Sequence, residues 1–269
     1  MSALFFDSHA HLGSPELFPG AGECLERARA AGVAGVIAVG SGYGLSLNAA
    51  AVALAQEHPD VWATAGVHPH DAREWNELTE TAVEGWLAHS RVVAVGECGL
   101  DYWYEHAPRE AQRSAFAAQI RIARDQGLPL VIHVRASRGS RDAYEDLIAD
   151  FDAGGADQVG GVIHCFTGDL RLARECLERG FDISFSGILT FRNAAELREV
   201  AARLPLDRLL IETDSPLLAP EPLRGKRNEP AFVRHVAECL AGVRGLGVDE
   251  VAARTAESAC RAFGIEPLA

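Results

Sequence analysis

Eight short apolar runs, each followed by a stretch with helical spacing, constrain the fold of this chain more than any other feature. The runs are Leu4 to His9, Gly35 to Val39, Val61 to Val67, Val92 to Glu97, Leu130 to Val134, Gly161 to Cys165, Phe181 to Ser186 and Arg208 to Thr213. Between them lie segments such as Cys24 to Ala31, Leu45 to His58, Arg109 to Gln126, Leu170 to Arg179 and Ala194 to Leu204, whose apolar residues recur every three or four positions. Strands alternating with helices require right-handed crossovers and therefore a parallel sheet. Eight such units closing on themselves make an α/β (β/α)8 TIM barrel, for which 269 residues is an ordinary length. Helices after Glu229 and after Val248 complete the outer ring, and an open doubly wound sheet is the alternative. No linker, low-complexity segment or fixed-period repeat points to a second domain, so residues 1–269 are read as a single barrel.

No stretch of roughly 18 apolar residues is present to cross a membrane. The first strand begins too early to leave room for a signal peptide, which places the expected location in the cytoplasm. The six cysteines show no C-x-x-C spacing and read as packed thiols in a reducing compartment. A net charge of −13 repels polyanions at long range, so a phosphate-bearing substrate would need metal ions or a local basic patch. Of the 25 basic residues, Lys226 alone is a lysine. Lysine-dependent chemistry is thereby confined to one place.

The polar residues fall where packing alone would not put them. His9 and His11 close the first run, in register to share one side of a strand. His68 and His70 follow the third, Glu97 ends the fourth, His133 and His164 end the fifth and sixth, and Asp214 follows the eighth. In a barrel these strand ends converge on the catalytic mouth. Any one of them alone is more simply a satisfied core or turn residue. The set of His9, His11, Glu97, His133, His164 and Asp214 is more than one tetrahedral site needs, and a strand-four carboxylate can bridge. Two divalent ions sharing Glu97 is the economical reading. Barrels that bridge their metals with a carboxylated lysine at strand four, such as the phosphotriesterase and dihydroorotase groups, drop out because Glu97 stands there. Schiff-base barrels drop out because Lys226 lies beyond strand eight.

The order Asp7-Ser8-His9-Ala10-His11, Gly66-Val67-His68-Pro69-His70, Gly96-Glu97-Cys98-Gly99-Leu100-Asp101-Tyr102, His164-Cys165-Phe166-Thr167-Gly168, Glu212-Thr213-Asp214-Ser215-Pro216 and Arg227-Asn228-Glu229-Pro230 resembles the TatD family of metal-dependent deoxyribonucleases, from end to end of the chain. The resemblance implies a barrel of the amidohydrolase superfamily, two divalent ions (manganese, magnesium or zinc) and a 3′→5′ exonuclease on single-stranded DNA or RNA ends. A role in DNA repair or degradation follows, with no membrane and no obligate protein partner. One departure is His133-Val134-Arg135-Ala136, which lacks the acidic residue that often follows the arginine. Carried over, His9, His11 and Asp214 would bind one ion, His133 and His164 the other, and Glu97 would bridge. Asp214 would take the proton from the attacking water. His68 would contact the phosphate, protonate the leaving oxygen or orient a neighbouring ligand. His70 is a weaker substrate contact, and Asp101 would fix a ligand's orientation from behind.

Arg224, Lys226, Arg227 and Asn228 form a basic patch just past strand eight, either a solvated loop or a clamp for substrate phosphates. Tyr102, Trp103 and Tyr104 follow the strand-four motif, either as packing or as stacking platforms for bases. Gly40-Ser41-Gly42-Tyr43-Gly44 misses the G-x-G-x-x-G spacing and reads as a turn. Two other classes fit the same ligands. One is an amidohydrolase acting on an amide, lactone or ester, including aminoacyl-tRNA. The other is a non-catalytic metal-binding protein.

Overall fold

A computed structural model describes residues 4–14 and 20–268. Eight parallel strands follow one another around a single sheet in chain order. They are β1 (Phe5–Ala10), β2 (Val33–Ala38), β3 (Val61–Ala65), β4 (Val92–Asp101), β5 (Leu130–Arg135), β6 (Gly161–Ile163), β7 (Phe181–Phe185) and β8 (Leu209–Ile211). The circle closes where β1 meets the segment after β8. Ala10 bridges Ser215 in parallel, the His11 amide donates to the Ser215 carbonyl at 2.8 Å, and the Asp214 amide donates to the His9 carbonyl at 3.0 Å. The architecture is the expected (β/α)8 TIM barrel.

The outer ring comprises α1 (Ala21–Ala30), α2 (Ser46–Glu57), α3 (Glu77–Leu87), α4 (Arg109–Gln126), α5 (Asp142–Gly154), α6 (Leu170–Glu178), α7 (Ala195–Arg203) and α8 (Val233–Arg244). Each turns its apolar stripe to the strands, as α4 does with Ala115, Phe116, Ile120 and Ala123. Asn76 starts α3 by accepting from the Leu78 and Thr79 amides, and Asp169 starts α6 by accepting from Leu172. A last helix, α9 (Val248–Ala262), lies under the opposite end of the barrel. There Ala256, Ala259, Cys260 and Phe263 pack on Phe6, Ile37, Ala94, Val131, Val162 and Leu210, one residue from each of six strands. That end is sealed by hydrocarbon. The C-terminal strand ends are left to carry chemistry.

Strand four departs from expectation. It runs on to Asp101, so Glu97 sits within it rather than at its end. Its pairing with β5 shifts between Gly96 and Cys98, leaving Glu97 as the extra residue of a bulge, a device that re-aims a side chain. The close approach of the two strands beyond the bulge depends on Gly99. Its φ is 131°, and a Cβ there would lie 2.1 Å from the His133 carbonyl oxygen. The β6 and β8 strands are shorter than expected, placing His164 and Asp214 just past them. All six cysteines are free thiols. Among the described residues, no helix is long and apolar enough to cross a membrane.

Candidate metal centre

Glu97 occupies the middle of the barrel mouth, and its two carboxylate oxygens face different histidines. Around Oε1 lie His164 Nε2 at 2.8 Å, His133 Nδ1 at 3.0 Å and His68 Nε2 at 3.3 Å. Around Oε2 lie His9 Nε2 at 3.4 Å and His11 Nε2 at 3.7 Å. Asp214 Oδ1 approaches the same pair, 3.5 Å from His11 Nε2 and 3.9 Å from His9 Nε2. Three groups of donor atoms fall within 4.8 Å of one another: His9, His11 and Asp214; His68, Glu97 and His133; His9, His164 and Glu212. Six of the seven residues named from the sequence as ligands or as His68 are buried, and His133 is half-buried.

The donor set fits divalent cations. Imidazole nitrogen and carboxylate oxygen are ligands that zinc, manganese and magnesium share between them. Both ring nitrogens of His9, Nδ1 of His11 and Oε2 of Glu97 are buried with no hydrogen-bond partner, a condition that native interiors avoid. A cation between His9 Nε2 and Glu97 Oε2 would satisfy both.

Carboxylates behind the ring orient two of the histidines. His164 Nδ1 lies 3.0 Å from Glu212 Oε1, which also accepts from the Cys165 amide at 2.8 Å. His133 Nε2 lies 3.0 Å from Asp101 Oδ2, and His70 Nε2 reaches the same oxygen at 3.1 Å. These partners take the outward N–H and leave His164 Nε2 and His133 Nδ1 facing Glu97. His68 is held differently. Its Nδ1 accepts from the His70 amide at 3.1 Å, so the neutral ring carries its proton on Nε2, 3.3 Å from Glu97 Oε1. The backbone is strained beside two of these groups, with φ at 43° for Cys165 and 55° for Asp214.

Charge follows from these contacts. Burial opposes ionisation of Glu97, but the His164 and His68 imidazoles and the bond from His133 hold its carboxyl well below the usual range. Asp101 is lowered against burial by its bonds from His133 and His70. Asp214 is lowered against burial by His11, His164 and His9. Burial pushes His68 down to about 4, and burial together with neighbouring His164 lowers His9. His164 moves the other way because Glu97 and Glu212 outweigh its burial. A cation at its Nε2 would therefore displace a proton.

The expected substrate contacts fare unevenly. Tyr102 is 2% exposed, its ring under Arg109 and its hydroxyl donating to Asp146 at 2.8 Å, so it packs the loop and presents no face to a base. Asn228 is also buried, its amide donating to the Thr213 carbonyl at 2.8 Å and the Leu217 carbonyl at 2.6 Å. It braces the chain on both sides of Asp214 rather than meeting a phosphate. Lys226 and Arg227 are exposed and stand outside the cleft lining. Arg224 lies 3.7 Å over Phe191, a cleft residue. His70 lines the cleft, as do Trp103 and Tyr104. Glu212 went unassigned in the sequence, although its place two residues before Asp214 was the available signal. The cleft in front of the ring measures about 1380 Å³, beyond the usual range for a pocket that holds one small molecule.

An eight-stranded barrel that gathers histidines and carboxylates at its C-terminal mouth defines the class of metal-dependent hydrolases. A family model described as TatD related DNase matches residues 6–264, and the chain belongs to that family. It is 40% identical over 262 residues to the uncharacterized metal-dependent hydrolase YabD of Bacillus subtilis, covering 97% of this chain and 100% of the relative. It is 40% identical over 265 residues to the 3′-5′ ssDNA/RNA exonuclease TatD of Citrobacter rodentium, covering 97% and 98%. The crystal structure of YJJV, a TatD homolog from Escherichia coli, superposes with a TM-score of 0.87 at 28% identity, covering 99% of this chain and 100% of that one.

Proposed function

We propose that this chain uses two divalent cations to hydrolyse phosphodiester bonds at the ends of single-stranded DNA or RNA, working from 3′ to 5′. The two-cation reading rests on one observation, the division of donors between the oxygens of Glu97, with His133 and His164 at Oε1 and His9 and His11 at Oε2. The substrate is suggested by relatives named as ssDNA/RNA exonucleases at about 40% identity. Manganese, magnesium or zinc suits the ligands, and degradation or repair of DNA is the matching role.

When bound, the cations supply a positive field that eases deprotonation of water and offsets charge building on the phosphate. The protein's own groups do the rest. Asp214 is ionised and next to His11, so its carboxylate takes the proton from the attacking water. Glu97, ionised throughout the neutral range, holds the two donor sets at a fixed separation. His68 stays neutral, and its Nε2–H serves as a hydrogen-bond donor to the phosphate or the leaving oxygen without giving up its proton. Asp101, with His70 on its shared oxygen, keeps His133 from rotating.

The test is a time course on end-labelled single-stranded oligonucleotides, using chelated protein reloaded with each metal in turn. Mononucleotides are expected to leave from the 3′ end, with little activity before reloading. Silence under every metal overturns the nuclease reading.

A further inference from the structure

The cleft wall beside the metal centre carries a guanidinium that the acidic surface has not neutralised. Arg135 is the last residue of β5, two positions after His133 and therefore on the same side of the strand. Its register partner on β4 is Asp101, which brings the following loop, with Trp103 and Tyr104, against it. The Arg135 guanidinium lies 5.0 Å from the centre of each of those two rings. No carboxylate pairs with it among the described residues, whereas Arg141 in the same cleft is paired with Asp169.

The rings are themselves unusual. Trp103 is 45% exposed and Tyr104 52%. Of six large apolar side chains exposed among the described residues, four line this one cleft: Tyr43, Trp103, Tyr104 and Leu217. Rings that serve packing are covered, as Tyr102 is one residue away. Asp101 joins this group to the catalytic ring. Its Oδ1 accepts from the Trp103 amide at 3.0 Å and the Tyr104 amide at 2.9 Å, while its Oδ2 holds His133 and His70.

We propose that Arg135, Trp103 and Tyr104 form the subsite for the unpaired terminal nucleotide, the guanidinium taking a substrate phosphate and the exposed part of the Trp103 ring taking its base, with Tyr104, stacked on His106 at 5.7 Å, backing the guanidinium. This rests on the nuclease reading above and adds to it the reason for a single-stranded substrate. A terminal base in a duplex is held by its pairing partner and its one stacked neighbour, whereas an unpaired end can splay out onto a ring. Stacking of this kind tolerates any base, and a guanidinium braced by two rings is held in place to form a charge-assisted bond. The subsite also supplies local positive charge in a chain of net charge −13, at the cleft itself, where Lys226 and Arg227 do not reach.

The experiment compares wild type, Arg135→Ala and the double variant Trp103→Ala/Tyr104→Ala on manganese-loaded protein. The substrates are a twelve-residue oligothymidylate, the same strand with an abasic 3′-terminal nucleotide, and a blunt duplex. The double variant is expected to lose about tenfold in kcat/KM on the intact strand. The abasic end is expected to cost wild type a similar factor and the double variant less than about twofold. Arg135→Ala is expected to raise KM about tenfold or more with kcat within about threefold. Fluorescence anisotropy of labelled oligothymidylate on Asp214→Asn protein reads binding without turnover, and there the ring substitutions should raise Kd at least about fivefold. Equal Kd values, or an abasic penalty as large in the double variant as in wild type, overturn the subsite. Failure of wild type to release any nucleotide sinks the nuclease reading, while the anisotropy still judges the subsite.

Discussion

Removing Glu212 should separate the metal centre from its support. The side chain is fully buried, and its Oε1 receives both the His164 ring N–H at 3.0 Å and the Cys165 amide at 2.8 Å. Glu212→Ala strands both donors out of reach of water. Each unsatisfied buried donor costs about 1–3 kcal/mol, so the chelated protein should lose roughly 2–6 kcal/mol in urea denaturation followed by circular dichroism. With Nδ1 no longer tethered, His164 can turn its Nε2 away from Glu97. Loss of such an outer partner typically costs about 10- to 100-fold in metal affinity, to be read by competition with a chromophoric zinc chelator. Glu212→Gln keeps an oxygen where both bonds land and gives up only the charge. It should recover most of the stability while still binding zinc more weakly than wild type. The reasoning is refuted if Glu212→Ala binds zinc within about twofold of wild type.

Asp214→Asn should lower kcat by at least about a hundredfold while the protein still takes up metal, read by metal analysis of the dialysed variant. In nuclear magnetic resonance titrations of ring-labelled histidine, His68 should stay neutral with its proton on Nε2 until the pH falls to about 4. Burial disfavours its charged form, so acid must reach that value before the ring takes a second proton. A midpoint near the ordinary value of about 6.5 would contradict this. Gly99→Ala places a Cβ 2.1 Å from the His133 carbonyl at a φ of 131°, and should destabilise by about 3 kcal/mol or more. An unchanged urea midpoint would mean that β4 and β5 can part there at no cost.

Periodicity announced the barrel because each strand had to be apolar and each helix had to hide one stripe. The donors at the strand ends were legible for a related reason: nothing in packing puts so many imidazoles and carboxylates at corresponding positions of successive units. What stayed hidden depended on register. Glu97 looks like a strand terminus in one dimension, and only the bulge against β5 shows that it lies within the strand. Tyr102 and Trp103 are neighbours in sequence with opposite fates, because one ring turns inward beneath Arg109 and the next faces the cleft. Asn228 is polar and flanked by arginine, which suggests a substrate contact. Its carbonyl partners belong to Thr213 and Leu217, and no local pattern pairs residues that far apart. Glu212 and Arg135 were overlooked because their importance lies in the company of His164, Trp103 and Tyr104.

The barrel closes at residues of the candidate metal centre. His9 and Asp214 share a backbone hydrogen bond, His11 and Ser215 share another, and the Asp7 carboxylate holds Thr213 across 206 residues of chain. A cation held by His9, His11 and Asp214 would therefore also be a rivet between the two ends of the barrel wall. Its donors lie about 200 residues apart along the chain, so only the folded state brings them together and only that state gains the binding energy. Loading with metal should then raise the unfolding temperature with free metal concentration, as for any ligand that meets its site only in the folded state. A mutation that loosened the seam between the first and last strands would surface first as a metal-binding defect. Spectroscopy of the empty protein would still report an intact barrel.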